Sequence, residues 1–197
     1  MMRWLPTAQT RGMQRRPSPA QGLLAFAAMV MLLVGPSLGA SAQSLSPIEA
    51  RLATRILLFQ KLPPSGDQRI AVLYDPNQPG AEAEAAETGR ALRAAELAGT
   101  LRLSPVLVPI PRVADLDGVV GLVVTDSVLG ALDTIAATAR RLRVPTIARS
   151  LECVHRGKCV TAVQAFPKVR IALSRAAAEA AGVQFQEAVW VMVEALP

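Results

Sequence analysis

Two cysteines, Cys153 and Cys159, and one histidine, His155, are all that this 197-residue chain offers of the two commonest soft ligands. That scarcity excludes much chemistry. A structural zinc site takes four ligands, and this trio supplies three. Dithiol redox motifs place two residues between their cysteines, whereas five intervene here. No serine or carboxylate stands in sequence where it would make His155 a general base. No G-x-G-x-x-G and no P-loop is present, so neither phosphate-cradling fingerprint is found. Catalytic, metal and cofactor residues are assigned to none, and the chain reads as a non-enzyme. It also lacks internal repeats and low-complexity linkers.

Acidic residues are missing from residues 1–42, which hold Arg3, Arg11, Arg15 and Arg16. An apolar run of 14 residues, Gly22–Gly35, follows these arginines and is broken by Pro36. Ala40-Ser41-Ala42 then supplies small residues before Gln43. This is the three-part pattern of a secretory signal peptide, with cleavage expected after Ala42. The run is short for a bilayer span, which argues against a retained anchor. Met1, Met2 and Met13 all remain open as the start. The expected location is the periplasm.

The whole chain carries 21 Lys+Arg against 15 Asp+Glu, a formal charge of +6. Four of those arginines belong to the leader, so residues 43–197 carry 17 against 15, or +2. The charge is scattered and gathers on no basic face, which argues against nucleic acid as a partner. These 155 residues are one ordinary domain with a core of its own.

The order of elements is legible. Ser46-Pro47-Ile48-Glu49 opens a helix with a capping box, and Ile48, Leu52, Ile56 and Phe59 follow at helical spacing. Arg69–Tyr74 reads as a buried strand, Asp75–Gly80 as a turn, and Ala81–Ala98 as a helix by propensity. Ser104–Ile110 reads as a strand with Pro105 near its start, and Pro109 suggests an edge or an early end. Gly118–Thr125 is a third strand. Asp126 and Ser127 then suit the cap of a helix carrying Val128, Leu132, Ile135, Ala139 and Leu142. Val144–Ala148 makes a fourth strand. Two strands after the cysteines, with at least one antiparallel pair, extend the sheet. Arg175–Ala181 is a short helix stopped by Gly182, and Phe185, Val189, Met192 and Leu196 predict a last amphipathic helix. The fold class is α/β, a single layered Rossmann-like domain whose sheet is mostly parallel with a mixed edge.

In an oxidising compartment Cys153 and Cys159 are most simply a disulfide, whether structural or regulatory. His155, Arg156 and Lys158 lie in the loop between them and form a candidate rim for an acidic partner. Asp75, Asp126 and Ser127 fall at the carboxyl ends of predicted strands, where open α/β sheets bind ligands. For each of these residues a solvated loop or a cap is the simpler structural role.

Across residues 46–197 the order of features resembles the YfiR-like family of periplasmic proteins. The correspondence is a helix after the leader over Ile48–Leu62, the strand RIAVLY, and the ending Val169–Leu196. That ending has an apolar strand, a helix containing Ala176 and Ala177, then Gly182 and an apolar helix. The resemblance implies a regulator that binds the periplasmic part of an inner-membrane diguanylate cyclase and represses it, acting on cyclic-di-GMP signalling. Its contact with the membrane would run only through that partner, and a homodimer is left open. The run TDSVLGALDTIAATARRLRVPTI also looks like one lobe of an ABC-transporter substrate-binding protein, which implies a small ligand instead.

Overall fold

The structure, a computed structural model, describes residues 43–95 and 101–196. The expected leader and its cleavage site lie outside the described residues, as does the predicted end of the second helix. No described helix is long and apolar enough to cross a membrane.

Helix α1 spans Pro47–Leu58, and its capping box is complete. Strand β1 (Gly66–Tyr74) leads to α2 (Ala81–Ala94), and β2 (Leu101–Pro109) runs into a 3-10 turn over Ile110–Asp115. Strand β3 is Leu122–Val124, followed by a second 3-10 turn (Asp126–Ala131) and α3 (Leu132–Leu142). The remainder is β4 (Thr146–Ala148), α4 (Leu151–His155), β5 (Thr161–Gln164), β6 (Arg170–Ser174), α5 (Arg175–Ala180), α6 (Glu187–Met192) and β7 (Glu194–Leu196). All seven strands form one sheet in the order β2-β1-β3-β4-β5-β6-β7. Neighbours from β2 to β5 are parallel, β5 and β6 are antiparallel, and β6 and β7 are parallel. The expected α/β class with a mostly parallel, mixed-edge sheet is the one observed, and the proline-bearing β2 is an edge.

Alternation along β1 feeds both faces. Ile70 and Val72 join Ala50, Ala53, Leu57, Ala85 and Leu92, so α1 and α2 cover one face. Ala71 and Leu73 join Leu132, Ile135 and Ala139 of α3 together with Cys153 and Cys159 on the other. Leu57, Ile70, Ile135 and Ile147 are wholly buried or nearly so, each worth about 1.5–3 kcal/mol of apolar burial. At Gly121 a Cβ would stand 3.5 Å from the Leu57 side chain, an ordinary contact distance that places α1 directly against the sheet here.

Three expectations are corrected. The run Gly118–Thr125 contributes only Leu122–Val124 to the sheet. Asp126 and Ser127 cap no α-helix with their side chains; they open the 3-10 turn, and α3 begins six residues later at Leu132. The final stripe is not one helix. Chain direction changes at Val193, whose φ of −119° and ψ of 164° are extended, and β7 then pairs with β6. Met192, assigned to the buried stripe, is 62% exposed. An open edge on β6 offered backbone partners that a short helix of β-branched residues did not outweigh.

Candidate functional site

Parallel order β2-β1-β3-β4-β5 reverses between β1 and β3, and ligands in such sheets bind beyond the carboxyl ends of the strands. The gap directly between β1 and β3 is filled by the chain itself. Thr125 donates its hydroxyl proton to the Leu73 carbonyl at 2.8 Å, and its oxygen lies 2.8 Å from the Ser127 hydroxyl. Ser127 Oγ accepts the Asp75 N–H at 3.2 Å, and its carbonyl accepts from Gln78 Nε2 at 2.8 Å. Asp75 Oδ1 in turn accepts from the Asn77 N–H at 2.9 Å. Asp75 and Ser127 are therefore brought together as predicted positions, and their polar atoms are used in tying two loops.

One strand further along, the surface opens. A crevice of about 440 Å³ is lined by Asp126, Leu129, Arg149, Ser150, Leu151 and Gln164, at the carboxyl ends of β3, β4 and β5. It is shallow and open to solvent, so it would hold a small molecule with one side exposed. Asp126 and Arg149 supply opposite charges, while Leu129 and Leu151 supply an apolar wall. Arg149 Nε lies 3.4 Å from Glu49 Oε1. Glu49 is 2% exposed and also accepts the Ser46 N–H at 2.8 Å and the Ala165 N–H at 3.0 Å. Burial pushes the Glu49 pKa up, but the hydrogen bonds from Ser46 and Ala165 and the Arg149 charge outweigh it and lower the pKa.

Behind Asp126 lies Glu84 of α2, 5% exposed. Its Oε1 accepts the Asp126 backbone N–H at 3.1 Å, and Oε2 has no hydrogen-bond partner. Burial raises its pKa, with the nearby Asp126 charge adding to the shift; the Asp126 and Ser127 backbone N–H groups and Arg149 act against it.

Cys153 and Cys159 are bonded, with Cα atoms 5.3 Å apart and both residues fully buried. The half of that segment expected to be loop is helical, since α4 carries Cys153 to His155. His155, Arg156 and Lys158 are exposed and line no part of the crevice. Arg156 pairs with Glu152 at 2.8 Å and Lys158 with Asp133 at 2.6 Å, so the proposed basic rim is largely matched by acids. Among the described residues no group of three or more His, Cys, Asp or Glu is placed to hold a metal ion.

Sequence reading found Asp126 and missed Arg149, Glu84, Leu129, Leu151 and Gln164. Arg149-Ser150 directly follows β4, and that position was the available signal. Glu84 carried none, because a glutamate in an alanine-rich helix reads as a solvated face.

No protein-family model and no curated protein matches the chain. Among solved structures it is similar to a conserved domain protein from Vibrio cholerae O1 biovar El Tor, with a TM-score of 0.58 at 15% identity. It is similar also to an ABC domain from Streptococcus pneumoniae in complex with L-Trp, with a TM-score of 0.55 at 12% identity. These alignments cover 77% and 76% of this chain. In each case the chain spans 60% of the other protein's length. At such identities the likeness shows a shared α/β fold.

Proposed function

We propose that this chain is a non-enzymatic, exported binding protein whose site is the crevice at the carboxyl ends of β3, β4 and β5. The observation that carries this reading is the 440 Å³ opening in which Asp126 and Arg149 stand beside Leu129 and Leu151. Its charges and apolar wall suit a small amphiphile with a polar end and an apolar body. The fold shared with an L-Trp-bound ABC domain supports the same class of function. Two-dimensional NMR titration with the twenty L-amino acids and small amines tests it. Saturable shifts at residues 126, 149–151 and 164 are expected, with a rise in Tm as ligand is added. Absence of any shift at those amides across the panel would overturn the reading.

A second reading rests on two exposed apolar side chains. Phe166 is 80% exposed and Ile48 is 55% exposed. They adjoin Ala165 and Glu49, which the 3.0 Å hydrogen bond holds together. Apolar side chains left in water suit a protein partner. This supports the YfiR-like proposal, repression of an inner-membrane diguanylate cyclase, with the crevice ligand as its signal. A photo-cross-linker at position 166 in intact cells should capture that membrane protein. Capture of transporter subunits, of a second copy alone, or of nothing would refute the cyclase partner.

A further inference from the structure

Sharing Asp126 and Arg149 with the crevice as wall lies a cavity of about 10 Å³, also lined by Gln43, Glu84, Thr88 and Thr125 and by the apolar Leu45, Val123 and Val124. That volume is the room of one water-sized group. Glu84 lines it, and its Oε2 has no hydrogen-bond partner although the residue is 5% exposed. An unpaired buried carboxylate oxygen is costly and calls for a partner. The Asp126 side chain makes no hydrogen bond or ion pair with any described residue. The Thr88 hydroxyl is engaged, accepting the Leu45 N–H at 3.2 Å.

Charge gives the direction. Three carboxylates, Glu49, Glu84 and Asp126, surround a single guanidinium, Arg149. Glu49 takes the Arg149 Nε at 3.4 Å and two backbone N–H groups, while Glu84 feels Arg149 only through space and, like Asp126, makes no ion pair among the described residues. A water molecule would satisfy Glu84 Oε2 and leave the charge. An ammonium head is of similar size, brings three donors, and neutralises as it binds.

Building on the crevice reading, we infer that the ligand carries a primary ammonium, which enters this inner cavity between Glu84 and Asp126 while its apolar body lies over Leu129 and Leu151. Arg149, which lines the crevice as well as the inner cavity, supplies a seat for a carboxylate on the same molecule. An α-amino acid fits both ends, and a simple amine fits the inner one.

Thermal-shift and calorimetric titrations on the full chain test this with three probes that share one ring: L-tryptophan, tryptamine and indole-3-propionate. The aliphatic L-amino acids and their deaminated and decarboxylated counterparts extend the set. Amine-bearing probes should bind at least about ten-fold tighter than their deaminated counterparts, the scale of one hydrogen bond to a charged group. Glu84→Gln should weaken the amine-bearing probes about ten-fold or more and leave the deaminated ones unchanged. Equal binding of amines and deaminated acids, or an unchanged amine affinity in a folded Glu84→Gln protein, would overturn the ammonium assignment while the crevice stands. Failure of every probe in both proteins would overturn the crevice reading with it.

Discussion

Glu49 joins three parts of the molecule, and removing its carboxylate has a calculable cost. Its Oε2 closes the capping box of α1 by accepting the Ser46 N–H, while Ser46 Oγ accepts the Glu49 N–H at 3.3 Å. Its Oε1 accepts the Ala165 N–H from the turn after β5 and faces Arg149. Losing half a capping box costs about 1 kcal/mol. Leaving a part-buried N–H that was bonded to a charged acceptor costs about 1.5–3 kcal/mol. These effects share one side chain and do not simply add, so Glu49→Ala should lose about 3 kcal/mol. For a domain of this size that is a fall in Tm of about 6–12 °C. Glu49→Gln keeps one oxygen and should lose about half as much. The folded-state pKa is lowered from 4.5, so the carboxylate's stabilisation is full above that value and fades as pH falls through the lower folded value. The gap between wild type and Glu49→Gln should therefore narrow below about pH 4.5. Urea titrations followed by circular dichroism, at pH 7 and in steps down to pH 3, measure both quantities. A loss under about 1 kcal/mol for Glu49→Ala at neutral pH would refute the three-way role, given the size of a single cap.

Other substitutions test other joints. Cys153→Ala/Cys159→Ala opens a seven-residue loop, and the chain-entropy account gives a loss of about 2.4 kcal/mol, read as a lower urea midpoint with little change in slope. Arg143 closes α3 at φ 56°, ψ 48°; Arg143→Gly relieves a left-handed side chain and should raise stability by about 0.5–1 kcal/mol, read as a higher Tm. Glu84 has a folded pKa raised from 4.5, so the ionised form penalises folding once pH exceeds that value. Glu84→Gln should be more stable than wild type at pH 7, with the margin closing as pH falls toward 4.5. A Glu84→Gln protein less stable than wild type at pH 7 would contradict that sign.

Local signals made much of the fold readable. The capping box named the first residue of α1, and of the two roles open to Pro109, an edge or an early end, the edge is the one observed for β2. What escaped was decided by distant neighbours. Phe185, Val189, Met192 and Leu196 keep helical spacing, yet the end of that run pairs with β6, an edge that no local window reveals. The apolar run from Gly118 bonds to β1 through Val120 and Gly121 before its strand begins at Leu122, so its apolar character overstated the strand's length. The crevice shows the same limit more sharply. Asp126 was visible because it ends a strand, but Glu84 and Arg149 lie 65 positions apart and meet only through the strand order.

Glu84 also explains why its place in the fold bears on function. The side chain sits on α2 where an alanine would pack, as Ala81 and Ala85 do beside it. Packing alone does not require a carboxylate there. One oxygen secures the Asp126 N–H, a bond worth about 1.5–3 kcal/mol at a charged acceptor, and a glutamine would make that bond as well. The second oxygen, buried and unpaired, lowers the stability of the empty protein. A group that costs stability in the empty state and lines a water-sized cavity beside an open crevice has the arrangement expected of a binding determinant. Its deficit is recovered when a cation arrives. The stability gained by Glu84→Gln in the empty protein and the amine affinity lost in the same variant are thus two readings of one unpaired oxygen. Both should be found together in a single preparation, one by urea titration and the other by calorimetry.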